Sequence, residues 1–228
     1  MIDICVVTYN RLEYLKHCIW SIIASTSVEY RLIVISDHST DGTNEWLAEM
    51  KEKGKIDEVL INEKNLGTAQ SFNRVIGFSD SEWFAMTCDD IYFYKGWDTA
   101  AIGLTKEFDD CGISVFYDSI INDRGGLVRI NDHSYSIPAT GMGGVMIHKE
   151  LFERVKGFYL PGDYKMGFIA RGFCLKAFKT SLKRNRQYVT VPPYAVQMNR
   201  CKLSLEYLYD EYNEMRGREK GKFRKTGL

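Results

Sequence analysis

The fold is decided by residues 2–8, with the sequence IDICVVT, and by the segment 12–23, LEYLKHCIWSII, that follows them. The first segment is almost continuously apolar and rich in β-branched side chains, which is typical of a strand covered on both faces in a parallel sheet. In the second segment apolar residues recur at helical spacing. Asn10 and Glu13 have the spacing of a capping box, which predicts the start of a helix.

The same alternation of strand and helix continues to residue 90. It predicts an α/β fold of the Rossmann-like kind, with an open, mostly parallel sheet and helices on both faces. Beyond residue 90 the alternation ends and a smaller mixed region is expected. The further predicted strands are 30–36, 58–61, 82–87 and 113–117, the further helices cover 68–78 and 97–108, and a hairpin turns at 123–126.

Length and charge limit the classes of function. The chain has 228 residues, with 30 Lys and Arg against 30 Asp and Glu, so its formal net charge is zero. Nucleic acid and anionic membranes are therefore not expected as partners attracted by bulk charge. Apolar runs fall far short of the ~20 residues of a membrane-spanning helix.

Cysteines and the two ends of the sequence bear on location. The six cysteines are widely scattered, without the close spacing of a zinc or redox motif, so we interpret them as buried thiols. The opening residues lack the basic region and apolar stretch of a secretory signal, and we expect a cytoplasmic protein. The basic tail, residues 216–228, favours a solvated end over a peripheral membrane contact.

Polar residues follow each predicted strand of the first half. In open α/β sheets ligands bind beyond the carboxyl ends of the strands, so these residues predict a binding crevice. Asp89 and Asp90 follow the fourth strand, and their sequence neighbourhood offers no cation to offset two adjacent carboxylates. Mg²⁺ or Mn²⁺ would supply that charge, since either ion needs only one or two carboxylates when phosphates and water complete its shell.

The first strand is not followed by a phosphate-binding loop. Residues 8–11, TYNR, contain no glycine, which disfavours nucleoside triphosphate hydrolysis and dinucleotide redox chemistry. A sugar-1-phosphate nucleotidyltransferase is disfavoured for a similar reason, because it would need a glycine-rich and basic loop there. The metal, rather than a backbone cradle, is expected to hold phosphates.

Several further segments occur in a distinctive order. They are residues 6–11 (VVTYNR), 34–43 (VISDHSTDGT), 65–67 (NLG) with Asn73 beyond, 88–90 (CDD), and 143–152 (GGVMIHKELF) followed by Gly157 and Phe158. Together they resemble the inverting nucleotide-sugar glycosyltransferases of family 2, which have the GT-A fold. The resemblance implies one domain over residues 1–215, with a nucleotide-binding half (1–90) and an acceptor-binding half (91–215).

The resemblance also implies roles for individual residues on the donor side. Gly67 would let the backbone approach the nucleoside, Asp89 would face the ribose or the donor sugar, and Asp90 would coordinate Mn²⁺ or Mg²⁺. The residues implied around the nucleobase and ribose are Thr8, Tyr9, Arg11 and Asp37, with Asp37 accepting a hydrogen bond from a base N–H. Uridine is favoured because its N3–H is such a donor.

Asp163 matches the catalytic aspartate of the family. It would take the proton of an acceptor hydroxyl on a glycan or glycoconjugate while the sugar leaves the nucleoside diphosphate, which inverts the anomeric centre. A free carboxyl pKa of about 3.9 leaves Asp163 ionised at neutral pH.

The sequence departs from the family pattern at four positions. Ser36 and Cys88 replace carboxylates, Gly162 stands where the family often has Glu, and Gln197 occupies the place of a late histidine ligand. The alternative interpretation is therefore a catalytically degenerate module that binds sugar nucleotides or glycans. The tyrosine-rich segment 205–215 suits either packing on the fold or a homodimer contact.

Overall fold

The computed structural model describes residues 1–116, 128–132, 134–136, 143–158, 173–174, 176–177, 179–190 and 194–198. In chain order the elements are β1 (Ile2–Thr8), α1 (Leu12–Ser25), β2 (Tyr30–Ser36), α2 (Thr43–Glu52), β3 (Glu58–Ile61), α3 (Thr68–Ile76), β4 (Trp83–Cys88), β5 (Ile91–Phe93), α4 (Trp97–Glu107), β6 (Cys111–Val115), β7 (Val128–Arg129), β8 (Ser134–Ser136), β9 (Gly144–His148), α5 (Lys149–Val155), β10 (Arg186–Thr190) and β11 (Ala195–Gln197).

One large sheet organises the described part of the chain. Its strand order is β3-β2-β1-β4-β9-β6-β10-β8-β7, and a small second sheet pairs β11 with β5. Strands β1, β2, β3 and β4 run parallel to one another, whereas β9 runs antiparallel to both β4 and β6. The predicted α/β fold, with a parallel first half and a mixed second half of the sheet, is confirmed.

The central strands are buried on both faces. Every residue of β1, β6 and β9 is buried, so side chains that alternate between the two faces are covered on each side. The near-continuous apolar run of residues 2–8 is explained by this double covering.

The register of the parallel strands brings their carboxyl ends to one level. Thr8 lies opposite Ser36, Ser36 opposite Ile61, and Val7 opposite Cys88. The first residue after three of the strands is held by one more backbone hydrogen bond. These bonds run from Asp37 N to Thr8 O (2.8 Å), from Asn62 N to Ser36 O (2.9 Å) and from Asp89 N to Val7 O (3.2 Å).

The start of α1 differs from the prediction. Helix α1 begins at Leu12, and its N-cap residue, Arg11, makes no side-chain capping bond. The predicted capping box of Asn10 and Glu13 was therefore wrong. Asn10 has a φ of 49°, and its Oδ1 accepts a hydrogen bond from the Thr40 backbone at 2.6 Å. The Leu12 N–H is satisfied by Asp41 Oδ2 at 3.0 Å. The polar turn after β2 therefore caps the helix from outside its own sequence.

Other predicted boundaries were off by a few residues or lie outside the described part. Helix α3 ends at Ile76, and β6 begins at Cys111 rather than at residue 113. The predicted hairpin turn at 123–126, Asp163, the segment 205–215 and the basic tail lie outside the described residues. Within the described residues, none of the helices combines the length and the apolar character needed to cross a membrane.

Asp98 ties the start of α4 to the connection between α1 and β2. Its fully buried carboxylate accepts hydrogen bonds through Oδ2 from Ser27 N (2.6 Å), Ser27 Oγ (2.8 Å) and Val28 N (2.9 Å). Burial alone raises the pKa of Asp98, but the bonds from Ser27, Val28 and Thr99 outweigh it, and the pKa is lowered overall. The ionised form is thus the one that the fold stabilises.

We expect Asp98→Asn to lower the free energy of unfolding at pH 7 by at least about 2 kcal/mol, because an amide cannot accept all of these bonds. Denaturant unfolding measures the loss. Since the folded-state pKa lies below the ordinary value of 3.8, the stabilisation is complete above that pH and declines as the pH falls through the folded-state pKa.

The matched control is Asp80→Asn, whose side chain is 90% exposed. Its unfolding free energy should change by less than about 0.5 kcal/mol. An Asp98→Asn loss that is equal at pH 7 and well below pH 3.8 would contradict the assignment.

Candidate active site

Two buried carboxylates form the centre of the crevice at the strand ends. Asp89 and Asp90 follow β4 and are 3% and 5% exposed. Thr8 Oγ1 donates to Asp89 Oδ2 at 2.8 Å, and Arg11 Nη1 donates to Asp89 Oδ1 at 2.9 Å. The same Arg11 nitrogen lies 3.3 Å from Asp90 Oδ2. The sequence neighbourhood of the acid pair offers no cation, but the fold brings Arg11 to it from 78 positions away.

Arg11 is itself enclosed. Its side chain is 8% exposed, and its guanidinium carbon lies 4.5 Å from the centroid of the Tyr14 ring. An aromatic face attracts a desolvated cation, so Tyr14 supports the guanidinium on the side of α1. The sequence analysis placed Arg11 near the nucleobase and ribose, and the structure places it against the acid pair.

Burial and the neighbouring charges affect the protonation of Asp89. Burial raises the pKa of Asp89, Arg11 lowers it and the Asp90 charge raises it again, and the outcome is a pKa of about 6. Thr8 and the Tyr9 backbone also lower the pKa by hydrogen bonds to the carboxylate. Thr8, Tyr9 and Arg11, which the sequence grouped together, thus all contact Asp89.

Asp90 is held from a distant part of the chain. Gln197 Nε2 donates to Asp90 Oδ2 at 2.8 Å across a separation of 107 positions. The Met198 backbone N–H donates to the Asp90 carbonyl oxygen at 2.7 Å. Both contacts follow from the pairing of β11 with β5, in which Gln197 lies opposite Ile91.

The acid pair has the chemistry of a site for a hard divalent cation. Carboxylate oxygens are the ligands that Mg²⁺ and Mn²⁺ prefer, and one or two of them suffice when phosphates and water complete the shell. Across the part of the chain that the structure describes, no group of three or more His, Cys, Asp or Glu residues is arranged to hold a metal. The residues present therefore fit a cation that relies on Asp90 and Asp89 together with substrate oxygens.

Asp37 organises the other side of the crevice. Its buried carboxylate accepts from Asn62 Nδ2, Leu66 N and Gly67 N, each at 2.8 Å. Asn62 also donates to Ser71 in α3 at 2.9 Å. The carboxylate thereby fixes the loop between β3 and α3. A contact between Asp37 and a nucleobase stays a prediction.

The chain passes from this loop into α3 at Gly67, whose backbone dihedral angles are rarely adopted by other residues. Its φ is 81° and its ψ is 157°. Among the described residues, nothing lies within 4 Å of where a β-carbon would stand. The need for glycine here is therefore conformational.

Helix α3 also anchors the backbone that follows α5, at Phe158. Asn73 Oδ1 accepts from Phe158 N and Asn73 Nδ2 donates to Phe158 O, both at 2.8 Å. A β-carbon on Gly157 would stand 2.6 Å from Asn73 Oδ1, so the close approach requires glycine. Asp163 follows five positions after Phe158, outside the described residues.

Residues that sequence reasoning missed are those that hold the carboxylates. Asn62 had a weak signal, since it is the first polar residue after β3. The contact of Arg11 with the acid pair had none, because it arises from strand pairing across the chain. Gln197 had a signal, since the resemblance placed it where the family has a late histidine ligand, and it contacts Asp90.

We expect Gly67→Ala to destabilise the fold by about 1–3 kcal/mol, although there is space for the methyl group, because the required dihedral angles are nearly restricted to glycine. Denaturant unfolding measures the change. Gly103→Ala, at an exposed position inside α4 with no described atom near its β-carbon, is the control and should stabilise by about 0.5–1 kcal/mol. Equal effects of the two substitutions would contradict the backbone argument.

Two curated relatives match part of this chain. A Haemophilus influenzae protein described as an uncharacterized glycosyltransferase is 36% identical over 92 residues, covering 40% of this chain and 28% of that protein. An uncharacterized glycosyltransferase of Methanocaldococcus jannaschii is 30% identical over 98 residues, covering 42% and 34%. The chain thus matches over about a third of the length of these relatives.

Solved structures share the fold at low identity. S. aureus TarS in complex with UDP-GlcNAc has a TM-score of 0.67 at 19% identity, covering 91% of this chain and 63% of that one. The mannosyltransferase PcManGT from Pyrobaculum calidifontis, in complex with GDP-Man and Mn²⁺, has a TM-score of 0.67 at 16% identity, covering 96% and 65%. The sequence model of glycosyl transferase family 2 matches residues 3–160. With its strand-end crevice and its ordered motifs, this chain belongs to glycosyl transferase family 2.

Proposed function

We propose that the chain is a metal-dependent, inverting glycosyltransferase that moves a sugar from a nucleoside diphosphate donor, with a UDP-sugar favoured, to a hydroxyl of a glycan or glycoconjugate. The observation that carries the proposal is the buried pair Asp89 and Asp90 at the carboxyl ends of parallel strands, with Arg11 against it. Membership of the family supports it, as do TarS and PcManGT, which share the fold and were crystallised or solved with sugar nucleotides.

The nucleoside would bind between Asp37 and the loop that it fixes. A carboxylate has about four acceptor positions. Asp37 Oδ2 accepts one described bond, from Gly67 N, and so retains capacity for a base N–H. Uracil presents such a group at N3, which is why UDP is the favoured nucleotide. Among the described residues, nothing lies within 4 Å of the β-carbon position of Gly67, which would leave room for the nucleoside there.

Asp90, with Asp89 beside it, would hold Mn²⁺ or Mg²⁺. A cation bound there would stabilise the negative charge of the leaving nucleoside diphosphate. Thr8 and Arg11 keep the Asp89 carboxylate in position, and Gln197 does the same for Asp90. Two fixed carboxylates offer the donor site a preorganised charge at little further entropic cost.

Asp163 would act as the general base on the acceptor. It removes the proton of the acceptor hydroxyl as that oxygen bonds to the anomeric carbon and the carbon–oxygen bond to the diphosphate breaks. The bidentate contact between Asn73 and Phe158 anchors the segment that leads to Asp163. Attack opposite the leaving group inverts the anomeric centre.

We expect Asp163→Asn to lower the rate of UDP release from UDP-sugars with Mn²⁺, with water in place of the acceptor hydroxyl, by at least about 100-fold, because the amide cannot accept the proton. The affinity for UDP, measured by calorimetry, should stay unchanged, since the base does not hold the nucleotide. Asp109→Asn, at a side chain that is 79% exposed, is the matched control and should release UDP at the wild-type rate. A wild-type rate in Asp163→Asn would exclude this residue as the base.

The contacts of Arg11 and Gln197 with the acid pair favour a second candidate, a module that binds sugar nucleotides without turnover. The same assay separates the two. A wild-type chain that binds UDP or GDP, but releases neither UDP from UDP-glucose, UDP-galactose or UDP-N-acetylglucosamine nor GDP from GDP-mannose, would favour the binding module.

A further inference from the structure

Arg11 lies against the same carboxylates that a divalent cation would bind. Its Nη1 atom lies 2.9 Å from Asp89 Oδ1 and 3.3 Å from Asp90 Oδ2. Two cations held this close repel strongly in a buried setting. A guanidinium in this position therefore competes with a metal ion for the same carboxylate oxygens.

The two carboxylates hold Arg11 unequally. Asp89 makes the shorter contact and is also held by Thr8, so this ion pair is the firmer one. The contact with Asp90 is longer, and the same Asp90 oxygen already accepts a bond from Gln197 at 2.8 Å. Arg11 can therefore leave Asp90 at smaller cost than Asp89.

A diphosphate would offer Arg11 another partner, and the Tyr14 ring does not tie the guanidinium to one carboxylate. A guanidinium binds phosphate oxygens through two parallel hydrogen bonds, and it does so more strongly than a neutral donor. The Tyr14 ring under the guanidinium supports it without fixing it to one carboxylate, because the attraction of an aromatic face is not directed at a single atom.

We propose that Arg11 is an exchangeable counter-cation: in the nucleotide-free chain it offsets part of the charge of Asp89 and Asp90 and opposes metal binding, and on donor binding it transfers to the diphosphate and releases Asp90 to the metal. This inference rests on the proposed function, because it needs a diphosphate donor. Binding of metal and nucleotide is then positively coupled, and by thermodynamic reciprocity each raises the affinity for the other.

The test measures Mn²⁺ binding to the full chain without nucleotide, from the electron paramagnetic resonance signal of free Mn²⁺. Arg11→Met should bind Mn²⁺ at least about tenfold more tightly than wild type, because the competing charge is gone. Arg154→Met is the control of equal charge change, at an exposed side chain on α5, and should bind like wild type. Adding Asp90→Asn to Arg11→Met should abolish the gain.

Removing the cation of a buried pair destabilises folded proteins, so Arg11→Lys is the second variant. A single ammonium group cannot reproduce the fork of donors, and we expect a smaller gain in Mn²⁺ affinity than for Arg11→Met. Unchanged or weaker Mn²⁺ binding in whichever variant folds overturns the proposal.

Failure of the proposed function would give a different set of binding results. A wild-type chain that binds no nucleoside diphosphate by calorimetry, with or without Mn²⁺, overturns both the donor site and the transfer of Arg11 to a diphosphate. A chain that binds UDP while the Arg11 variants leave Mn²⁺ affinity unchanged overturns the counter-cation alone.

Discussion

Two adjacent carboxylates buried beside one arginine are the constraint on which the rest of the crevice depends. Burying a pair of like charges without a cation is prohibitive, and removing one member of a buried ion pair costs about 3–5 kcal/mol. Arg11 comes from the end of β1 and the acids from the end of β4, so the charge balance fixes these two strand ends to each other. The neutral overall composition thus conceals a local concentration of charge, in which one arginine offsets part of the charge of two carboxylates.

On the other side of the crevice, a further buried carboxylate is also satisfied by groups of the protein itself. Asp37 is buried at the end of β2 and is satisfied by hydrogen bonds from the next loop, rather than by a cation. Helix α3 contacts this loop through Ser71, and it contacts Phe158, which follows α5, through Asn73. Each carboxylate in the crevice therefore positions a different piece of chain, and the parallel register brings those pieces together.

Much of this arrangement could be predicted from sequence. The apolar run of residues 2–8 indicated a doubly covered strand, and polar residues after each strand indicated the crevice, because parallel strands end at one edge. What failed were features that depend on pairing across the chain. The start of α1 is capped by Asp41, which no local pattern encodes. The contact of Gln197 with Asp90 was indicated only by the resemblance, which placed Gln197 where the family has a late metal ligand. The charge of Arg11 was visible, but its partner, 78 positions away, was not.

The most direct test is a crystal structure of the chain with UDP and Mn²⁺. We expect the nucleotide at the ends of β1, β2 and β4, the metal on Asp90, and the Arg11 guanidinium on the diphosphate instead of on Asp90. A nucleotide bound elsewhere, or a metal on Asp90 with Arg11 still against the same carboxylate, would contradict the account.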